Sequence, residues 1–386
     1  MTRFIGLMSG TSLDGVDGVR VDLPDPAADA ELVSARTHAA PRVEAFVHLD
    51  MPAALRAELL ALNRPGDNEL HRAALAGNAL AGLYAQAVQA LLVDGLAPGM
   101  VAAIGAHGQT VRHRPGEFDG LGYTLQLLNG ALLAELTGMA VVCDLRSRDL
   151  AAGGQGAPLV CAFHARCFAR PGEDVAVLNL GGIANLTLLR GDGGESAVIG
   201  FDCGPANVLM DLWCQREQGM AFDADGQWAA GGEVDQAWLR QLLQSEPYFK
   251  LPPPKSTGRD LFDADWLDAR LAGRSPGTTA QDTMRTLLEL SAQTATDALA
   301  MHLPGALHLH VCGGGACNRL MMQRLQALNP QRQVQSTAAL GVPPDQVEAL
   351  AFAWLAQAAL TKQAGNVPDV TGAKGPRVLG AVYPAT

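Results

Sequence analysis

Residues 4–19 read FIGLMSGTSLDGVDGV, and this stretch decides the fold. An apolar run ends in a turn and an apolar alternation resumes at Val16, so the pattern predicts a strand, a tight turn and a second strand. Ordinary hairpin loops have a similar composition. In this turn, however, almost every residue is small or hydroxylated, so backbone N–H groups and hydroxyls can approach an anion, and Asp14 beside them can hold a divalent cation.

Two further glycine-rich segments repeat the pattern. Residues 174–189 are again an apolar strand, a Gly181-Gly182 turn and a second apolar strand, and residues 307–318 run from a strand through three glycines toward a helix at 318–328. The last segment has neither the Gly-Lys-Ser/Thr of a Walker A loop nor the G-x-G-x-x-G spacing of a dinucleotide fold. Two such hairpins, one in each half of the chain, describe a nucleotide clamped between two similar lobes.

This arrangement resembles the actin, hexokinase and heat-shock-chaperone ATPase superfamily. The resemblance implies an α/β fold of two ribonuclease H-like lobes with the nucleotide in the cleft between them. Seven segments narrow the resemblance to the anhydro-N-acetylmuramic acid kinase family: 6–15 (GLMSGTSLDG), 106–110 (AHGQT), 144–149 (DLRSRD), 153–159 (GGQGAPL), 200–207 (GFDCGPAN), 254–259 (PKSTGR) and 369–373 (DVTGA). Ala206 stands where the family pattern has a glycine, and its added methyl group should require only local adjustment.

The composition is typical of a soluble enzyme. The 386 residues suffice for two or three domains with their own cores, and the formal net charge of −11 argues against a general nucleic-acid binder. Without an apolar run of eighteen residues or a signal peptide, we expect a cytoplasmic protein that binds no membrane. The seven cysteines form no C-x-x-C pair, which indicates reduced, mostly buried thiols.

The hydrophobic pattern predicts two lobes, residues 1–143 plus 371–386 and residues 144–370. Strands are predicted near 102–104 and 140–142, and helices at 67–92, 131–136, 208–215, 281–303 and 344–362. Residues 221–257 are richer in glycine, proline and charge and look like an insertion with loops. The apolar residues 378–382 could return to the first lobe.

The resemblance implies an ATP-dependent kinase of peptidoglycan recycling. Its substrate would be 1,6-anhydro-N-acetylmuramic acid, and its products N-acetylmuramic acid 6-phosphate and ADP. In this sugar O6 bridges to C1, so water must attack C1 while O6 takes the γ-phosphoryl group. A carboxylate that deprotonates the water is the minimum requirement. A separate general acid is not obligatory because phosphorus captures O6, and phosphoryl transfer itself needs positioning and charge neutralisation.

Asp202 is the predicted catalytic base, because it ends the apolar run 198–201 and matches the family's catalytic aspartate. The alternative is a cap for the helix that follows Asn207, but Asp202 lies several residues early and Asn207 is the better cap. Glu348 is the second catalytic candidate. It lies at the margin of an apolar helix face, where it could hold the water or the sugar, or be a solvated acid favoured by the helix dipole.

Arginine is the predicted partner of the substrate's lactyl carboxylate, because a guanidinium binds a carboxylate bidentately. Arg148 is the first choice and Arg146 the alternative, and both could instead form a surface ion-pair cluster. His107, in a glycine-containing turn, is predicted to hydrogen-bond the substrate or the structure and not to act as a base. Lys255 and Arg259 could contact phosphate or bridge the lobes, two roles that the sequence does not separate.

The predicted nucleotide-binding residues are those of the three glycine-rich segments: Ser9, Gly10, Thr11, Ser12, Leu13, Asp14, Gly15, Val16, Asn179, Gly181, Gly182, Gly313, Gly314, Gly315 and Asn318. Asp14 and Asp202 are the predicted ligands of the nucleotide's Mg²⁺, directly or through water. ATP and Mg²⁺ are therefore the expected cofactors, small molecules the expected partners, and a homodimer the expected assembly.

Two other functions fit the same fold. A conventional sugar kinase would phosphorylate an existing hydroxyl and would prefer a reducing sugar to the anhydro form. An actin-like filament or chaperone ATPase would use the same nucleotide clamp, but it would have no evident use for the segments of Asp202 and Arg148. Hydrolysis of ATP without added sugar would favour this last reading.

Overall fold

The computed structural model describes residues 1–10, 12–25, 41–92, 95–192, 197–257 and 261–385. It divides into two compact units: unit 1 is Met1–Cys167 with Gln346–Thr386, and unit 2 is Phe168–Asp345. These bounds differ from the predicted lobes, because residues 144–167 and 346–370 belong to unit 1. Arg146, Arg148 and Glu348 are therefore residues of unit 1, whereas Asp202 belongs to unit 2.

The described part of unit 1 contains a six-stranded sheet and a separate hairpin. The strands are β1 (Thr2–Met8), β2 (Gly15–Leu23), β3 (Arg42–Asp50), β4 (Ala103–Ala106), β5 (Gln109–Pro115), β6 (Gly122–Leu127), β7 (Val141–Cys143) and β13 (Ala381–Tyr383). The sheet order is β13-β7-β4-β1-β2-β3, and β5 pairs with β6. Strands β1, β2 and β3 are antiparallel, whereas β4 is parallel to β1 and β7 to β4. The first predicted hairpin is confirmed as β1–β2, and β13 returns to this sheet by pairing with β7.

Unit 2 repeats this topology. Its described strands are β8 (Val175–Leu180), β9 (Ile183–Leu189), β10 (Val198–Pro205), β11 (His308–Cys312) and β12 (Gln333–Ser336), in the order β10-β9-β8-β11-β12. Strands β8, β9 and β10 are antiparallel, and β11 is parallel to both β8 and β12. Both sheets thus place three antiparallel strands before two parallel ones. The prediction of two similar ribonuclease H-like lobes is confirmed.

Helices pack against both sheets. In unit 1 they are α1 (Ala53–Ala61), α2 (Glu69–Leu91), α3 (Gly130–Thr137), α4 (Ser147–Ala151), α5 (Val160–Phe168, whose last residue belongs to unit 2), α12 (Val347–Leu360) and α13 (Pro368–Thr371). In unit 2 they are α6 (Val208–Gln218), α7 (Gln227–Ala230), α8 (Gln236–Ser245), α9 (Ala264–Leu271), α10 (Ala280–His302) and α11 (Arg319–Leu328). Short 3-10 turns cover Pro98–Met100, Ala224–Gly226, Pro247–Lys250, Gly314–Cys317 and Thr337–Leu340. No helix in the described ranges is long and apolar enough to cross a membrane.

Helix α12 lies directly on the sheet of unit 1. A Cβ atom at Gly6 of β1 would overlap the backbone oxygen of Ala349, and one at Gly105 of β4 would overlap that of Phe352. Only glycine permits so close an approach between a helix and a sheet. This packing explains why residues 346–370 join unit 1 although the sequence predicts them in the second lobe.

The predicted insertion with loops at 221–257 is wrong in part, because residues 236–245 form the helix α8. Asp235 caps the helix by accepting a hydrogen bond from the backbone N–H of Trp238. Trp238, Leu239 and Leu242 are buried in the core of unit 2. Their spacing places them on one helix face, a signal that the neighbouring glycines and prolines obscure.

Candidate active site

Residues 107–109 form hydrogen bonds with the turn between β1 and β2. The His107 ring donates from Nδ1 to the Ser9 carbonyl at 3.2 Å, and Gln109 Nε2 donates to the Gly10 carbonyl at 3.1 Å. Ser9 is itself buried, and its hydroxyl donates to the Gly108 carbonyl at 3.1 Å. The carbonyls of both Ser9 and Gly10 are thus fixed by side-chain donors. Sequence reasoning missed Gln109, although it lies in the 106–110 segment.

The predicted nucleotide residues of this turn differ in what they can contact. Gly10 has room for a ligand, since a Cβ there would come no closer than 3.5 Å to any described atom. Gly15 has a structural reason to be glycine, because a Cβ would overlap the Leu49 backbone oxygen. The side chains of Leu13 and Val16 are buried in the core of unit 1, so only their backbone could reach a nucleotide. Thr11 lies outside the described residues.

The second hairpin turn is braced in the same manner. Asn207 donates from its backbone N–H to the Gly181 carbonyl and from Nδ2 to the carbonyls of Leu180 and Gly181, at 3.0 and 2.8 Å. The backbone N–H of Ala206 donates to the Gly182 carbonyl at 2.9 Å. A Cβ at Gly181 or Gly182 would meet no described atom closer than 3.8 Å, so the outer side of this turn is open. Ala206 is fully buried, and its carbonyl accepts a hydrogen bond from Ser291.

The third glycine-rich segment lies against the second hairpin within unit 2. Gly313 adopts φ +78°, and a Cβ there would overlap the side-chain oxygen of Asn179, which is buried at the end of β8. A Cβ at Gly315 would come within 2.6 Å of Leu180, whereas Gly314 faces open space. Asn318 caps α11 by accepting from the Met321 N–H at 3.0 Å, which is a structural role.

Asp202 lies on β10, where the pairing with β9 shifts register between Asp202 and Gly204. Its two carboxylate oxygens accept hydrogen bonds from different donors, Oδ1 from Asn185 Nδ2 and Oδ2 from the Thr257 backbone N–H, both at 2.9 Å. Burial raises the pKa of Asp202, and these two bonds and the charge of Lys255 oppose the rise. Sequence reasoning missed both donors, although Thr257 lies in the 254–259 segment.

Lys255 belongs to the same cluster. Its Nζ donates to the carbonyls of Tyr248 and Phe249 at 3.1 and 3.4 Å and lies 4.7 Å from the centre of the Tyr248 ring. Its backbone carbonyl accepts the Asp202 N–H, and the Tyr248 hydroxyl donates to the Asp202 carbonyl. Residues 248 and 255 thus fix the backbone of Asp202, and the charge of Lys255 favours its ionised carboxylate. Arg259 lies outside the described residues.

The neighbouring thiol is buried and hydrogen-bonded. Cys203 is buried and donates to the Ala184 carbonyl, and burial together with the charge of Asp202 raises its pKa to about 12. All seven cysteines are in the described ranges, and none is in a disulfide bond.

Arg146 lies in unit 1 at the start of α4, held on two sides. Its Nε and Nη2 donate to His107 Nε2 at 3.1 and 2.9 Å, and its Nη1 donates to the Gly156 carbonyl at 2.8 Å. Burial lowers the pKa of Arg146 to about 10, which leaves it a cation at neutral pH, and the charges of Glu348 and Asp149 oppose this effect.

The loop that supplies Gly156 is fixed by a buried carboxylate. Asp149 Oδ2 accepts the Gly156 N–H at 2.7 Å, and its Oδ1 accepts from Asn366 Nδ2 at 2.7 Å and from the Thr371 hydroxyl at 2.8 Å. The segments 144–149, 153–159 and 369–373, far apart in the chain, thus form one hydrogen-bonded structure that supports Arg146. Sequence reasoning did not single out Asp149, Asn366 or Thr371.

Glu348 and Arg148, two further predicted site residues of unit 1, differ in their exposure. Glu348 is half-buried in the first turn of α12, and its charge acts on Arg146. Arg148, the first choice for the substrate carboxylate, is exposed on α4. The structure thus brings His107, Arg146 and Glu348 together, and the exposed side chain of Arg148 takes no part in the hydrogen bonds that hold Arg146.

The predicted magnesium ligands have the donor chemistry that Mg²⁺ prefers, one or two carboxylates completed by water and phosphate oxygens. Asp14 Oδ1 accepts from the Ser12 hydroxyl at 2.5 Å and from the Gly15 N–H at 3.0 Å. Among the described residues, Asp14 Oδ2 accepts no hydrogen bond, and each oxygen of Asp202 accepts one. Both carboxylates therefore retain lone pairs for a cation.

Two ribonuclease H-like units, each with a hydrogen-bonded glycine-rich hairpin, and a fixed carboxylate beside the second hairpin are the features expected of a kinase or an ATPase of this fold. The family model described as anhydro-N-acetylmuramic acid kinase matches residues 2–385. The chain is 57% identical over 385 residues to the anhydro-N-acetylmuramic acid kinase of Variovorax paradoxus, covering 99% of both chains. It is 59% identical over 384 residues to that of Bordetella petrii, covering 99% of this chain and 96% of the relative.

The chain therefore belongs to the anhydro-N-acetylmuramic acid kinase family. The predicted family is confirmed, and with it the prediction of an enzyme: a kinase of cell-wall recycling that uses ATP.

Proposed function

We propose that this protein opens the ring of 1,6-anhydro-N-acetylmuramic acid with water and transfers the γ-phosphoryl group of ATP to O6. The products are N-acetylmuramic acid 6-phosphate and ADP. The observation that carries the proposal is the setting of Asp202, a carboxylate with a raised pKa whose two oxygens are held by separate donors.

Asp202 acts as the general base. A fixed carboxylate whose pKa lies above its ordinary range is better matched to a proton from water than a solvated one. Asp202 takes a proton from water as the water oxygen bonds to C1. The C1–O6 bond breaks toward O6, O6 bonds to the γ-phosphorus, and the bond from that phosphorus to ADP breaks. Glu348 in unit 1 is the second carboxylate and holds the water or the sugar.

Arg146 binds the lactyl carboxylate. Among the described residues, its Nε–H and one Nη2–H contact His107 and one Nη1–H contacts Gly156, so Nη1 and Nη2 each keep one N–H. Two such N–H groups match the two oxygens of a carboxylate. This count favours Arg146 over the exposed Arg148, which remains the alternative.

The nucleotide phosphates bind the open sides of the glycine turns. A Cβ at Gly10, Gly181, Gly182 or Gly314 would meet no described atom closer than 3.5 Å, which supports close approach of phosphate oxygens to the backbone. Asp14 and Asp202 would hold Mg²⁺, which when bound neutralises the charge that develops on the phosphates. The backbone N–H groups of the turns orient the phosphates, and the two carboxylates would act on them only through the bound cation.

We also propose that the enzyme works in the cytoplasm, where ATP is available, and that it forms a homodimer. Its substrates are small molecules, and the net charge of −11 argues against nucleic acid as a partner. Light scattering of the purified chain tests the dimer, and cell fractionation tests the compartment.

Mass spectrometry of the product formed in ¹⁸O water tests the reaction. The label should be at C1 of a 6-phosphorylated N-acetylmuramic acid, with none in the phosphate. A label in the phosphate would mean that water attacks phosphorus. Faster phosphorylation of the free reducing sugar than of the anhydro sugar would favour a conventional sugar kinase.

A further inference from the structure

His107 is the predicted substrate residue whose surroundings leave it no direct contact with substrate. Only 5% of the residue is exposed, and both ring nitrogens already take part in hydrogen bonds. Nδ1 lies 3.2 Å from the Ser9 carbonyl, and Nε2 accepts N–H groups from Arg146. The ring of Phe352 in α12 packs against it, with ring centres 4.8 Å apart.

These contacts determine the protonation of the ring. A carbonyl oxygen can only accept and a guanidinium can only donate, so Nδ1 must carry the proton and Nε2 must be bare. Burial, the adjacent charge of Arg146 and both hydrogen bonds are compatible with one form alone, the neutral Nδ1–H tautomer. A neutral ring of this kind cannot serve as a proton donor or acceptor to the sugar without giving up Ser9 or Arg146.

We propose that His107 is a positioning residue that orients the Arg146 guanidinium and the Ser9 carbonyl at the same time, and thereby couples the sugar-carboxylate site to the phosphate-binding hairpin. The inference rests on the proposed function, which assigns the lactyl carboxylate to Arg146 and phosphate to the hairpin.

The first half of the argument concerns Arg146. Its side chain has several rotatable bonds, and a fixed guanidinium plane requires anchors on more than one edge. His107 holds the edge formed by Nε and Nη2, and the Gly156 carbonyl holds Nη1. With both anchors, the unused N–H groups of Nη1 and Nη2 keep one direction. Without His107, the guanidinium can turn about the remaining bond to Gly156, and the bidentate geometry is lost.

The second half concerns Ser9. Its carbonyl begins the turn that leads to Gly10, and the Nδ1–H of His107 is its hydrogen-bond donor. A carbonyl without this donor is free to rotate toward the phosphate, where its negative end would repel the ligand. The neighbouring bond from Gln109 to the Gly10 carbonyl stays in place when His107 is changed. The effect on ATP should therefore be smaller than the effect on the sugar.

Two substitutions of His107 separate its effect on Arg146 from its effect on the Ser9 carbonyl. In His107→Asn the amide nitrogen stands near the former Nδ1 and can still donate to Ser9, but the side chain is too short for Arg146. In His107→Gln the amide oxygen can take the place of Nε2 as acceptor for Arg146, but the donor to Ser9 is lost. We expect His107→Asn to raise the KM of the anhydro-muramic sugar about tenfold with little change for ATP, one lost charge-assisted contact being worth about that factor. We expect His107→Gln to raise the KM of ATP about threefold, a neutral hydrogen bond being worth less, with little change for the sugar.

A second histidine and a substrate analogue without the carboxylate serve as controls. His71 is exposed on α2, so His71→Asn and His71→Gln should leave both KM values unchanged. The analogue 1,6-anhydro-N-acetylglucosamine lacks the lactyl carboxylate, and its rate should be the same in His107→Asn as in the unsubstituted enzyme. If His107 acts through Arg146, His107→Asn should add nothing to the sugar KM of Arg146→Ala.

Several results would overturn the inference. Asn and Gln variants that raise both KM values alike, or additive effects in the double variant, would make His107 a packing residue only. Should a variant not fold, ¹⁵N NMR of the labelled unsubstituted protein still decides, since a ring protonated at Nε2 or at both nitrogens contradicts the proposal. An unsubstituted enzyme without activity on the muramic sugar refutes the proposed function instead, whereas the ¹⁵N spectrum and ATP binding by calorimetry still test His107.

Discussion

Replacing Asp202 with asparagine removes the proposed base with the smallest change in shape. The carboxylate accepts one hydrogen bond at each oxygen, from Asn185 Nδ2 and from the Thr257 N–H. An amide has a single oxygen, so Asp202→Asn keeps one of these bonds and places its NH₂ group against the donor of the other. We expect this to cost about 1–3 kcal/mol of folding free energy, the range for one buried polar group left unsatisfied.

The effect on catalysis should be much larger than the effect on stability. A positioned general base contributes about 10²–10⁴-fold to a rate, and Asp202→Asn also removes a negative charge proposed to hold Mg²⁺. We expect kcat to fall at least ~10³-fold, while the dissociation constant of ATP measured without Mg²⁺ changes little. Release of ADP in a coupled assay measures the first quantity, and calorimetry measures the second. Asp297→Asn is the matched control, because Asp297 is an exposed acid on α10 of the same unit.

The pH profile gives an independent check on the same residue. A base must be deprotonated, so kcat/KM should fall as the pH falls through the pKa of Asp202. Burial raises this pKa above its ordinary value, so the acid limb should lie above the ~3.9 of a solvated aspartate. An Asp202→Asn enzyme that keeps more than about a tenth of its activity, far above a general base's usual contribution, would remove Asp202 from the mechanism.

Three other predictions follow from the described geometry. Gly10→Val should fold, since a Cβ meets nothing closer than 3.5 Å, but should raise the KM of ATP at least ~10-fold by blocking close approach to the backbone; unchanged ATP binding would mean that this turn holds no phosphate. Arg146→Ala should weaken binding of the muramic sugar by about 1.5–3 kcal/mol, and Arg148→Ala should weaken it far less. Initial rates give the KM of each variant, and a larger effect of Arg148→Ala would contradict the assignment. His310 is 1% exposed, and neither ring nitrogen is hydrogen-bonded to any described residue; burial, Arg170 and His308 lower its pKa to about 4. Below pH 6.5 the unfolded chain therefore binds a proton that the native His310 does not, so stability is lost as the pH falls. From pH 8 to pH 5, the unfolding free energy of His310→Leu relative to that of the unsubstituted protein should rise by about 2 kcal/mol in urea unfolding, and a difference that does not change with pH would contradict this.

The local elements of this protein follow from its sequence because their causes are local. Alternating apolar residues and a glycine turn specify β1–β2 and β8–β9 within about twenty residues each. Helical spacing likewise predicts α2, α6, α10 and α12 to within a few residues at their ends. The family, and the prediction that Asp202 is the catalytic base, come from short segments that the chain carries in order. For these features the printed sequence is sufficient.

Tertiary structure alone decides which of two neighbouring arginines is held in place by hydrogen bonds. Arg146 and Arg148 are two positions apart and chemically identical, yet one is bonded to His107 and Gly156 and the other is exposed. Arg148 is the first choice from the sequence, but nothing local distinguishes it from Arg146.

The bounds of the two lobes also depend on tertiary contacts. Gly6 and Gly105 admit the backbone of α12, and Asp149 bonds Asn366 and Thr371 across 217 and 222 residues of chain. Such contacts depend on where distant segments meet in the folded chain. Sequence spacing records only what is near along the chain, so the support of Arg146 and the membership of residues 346–370 in unit 1 become visible only in three dimensions.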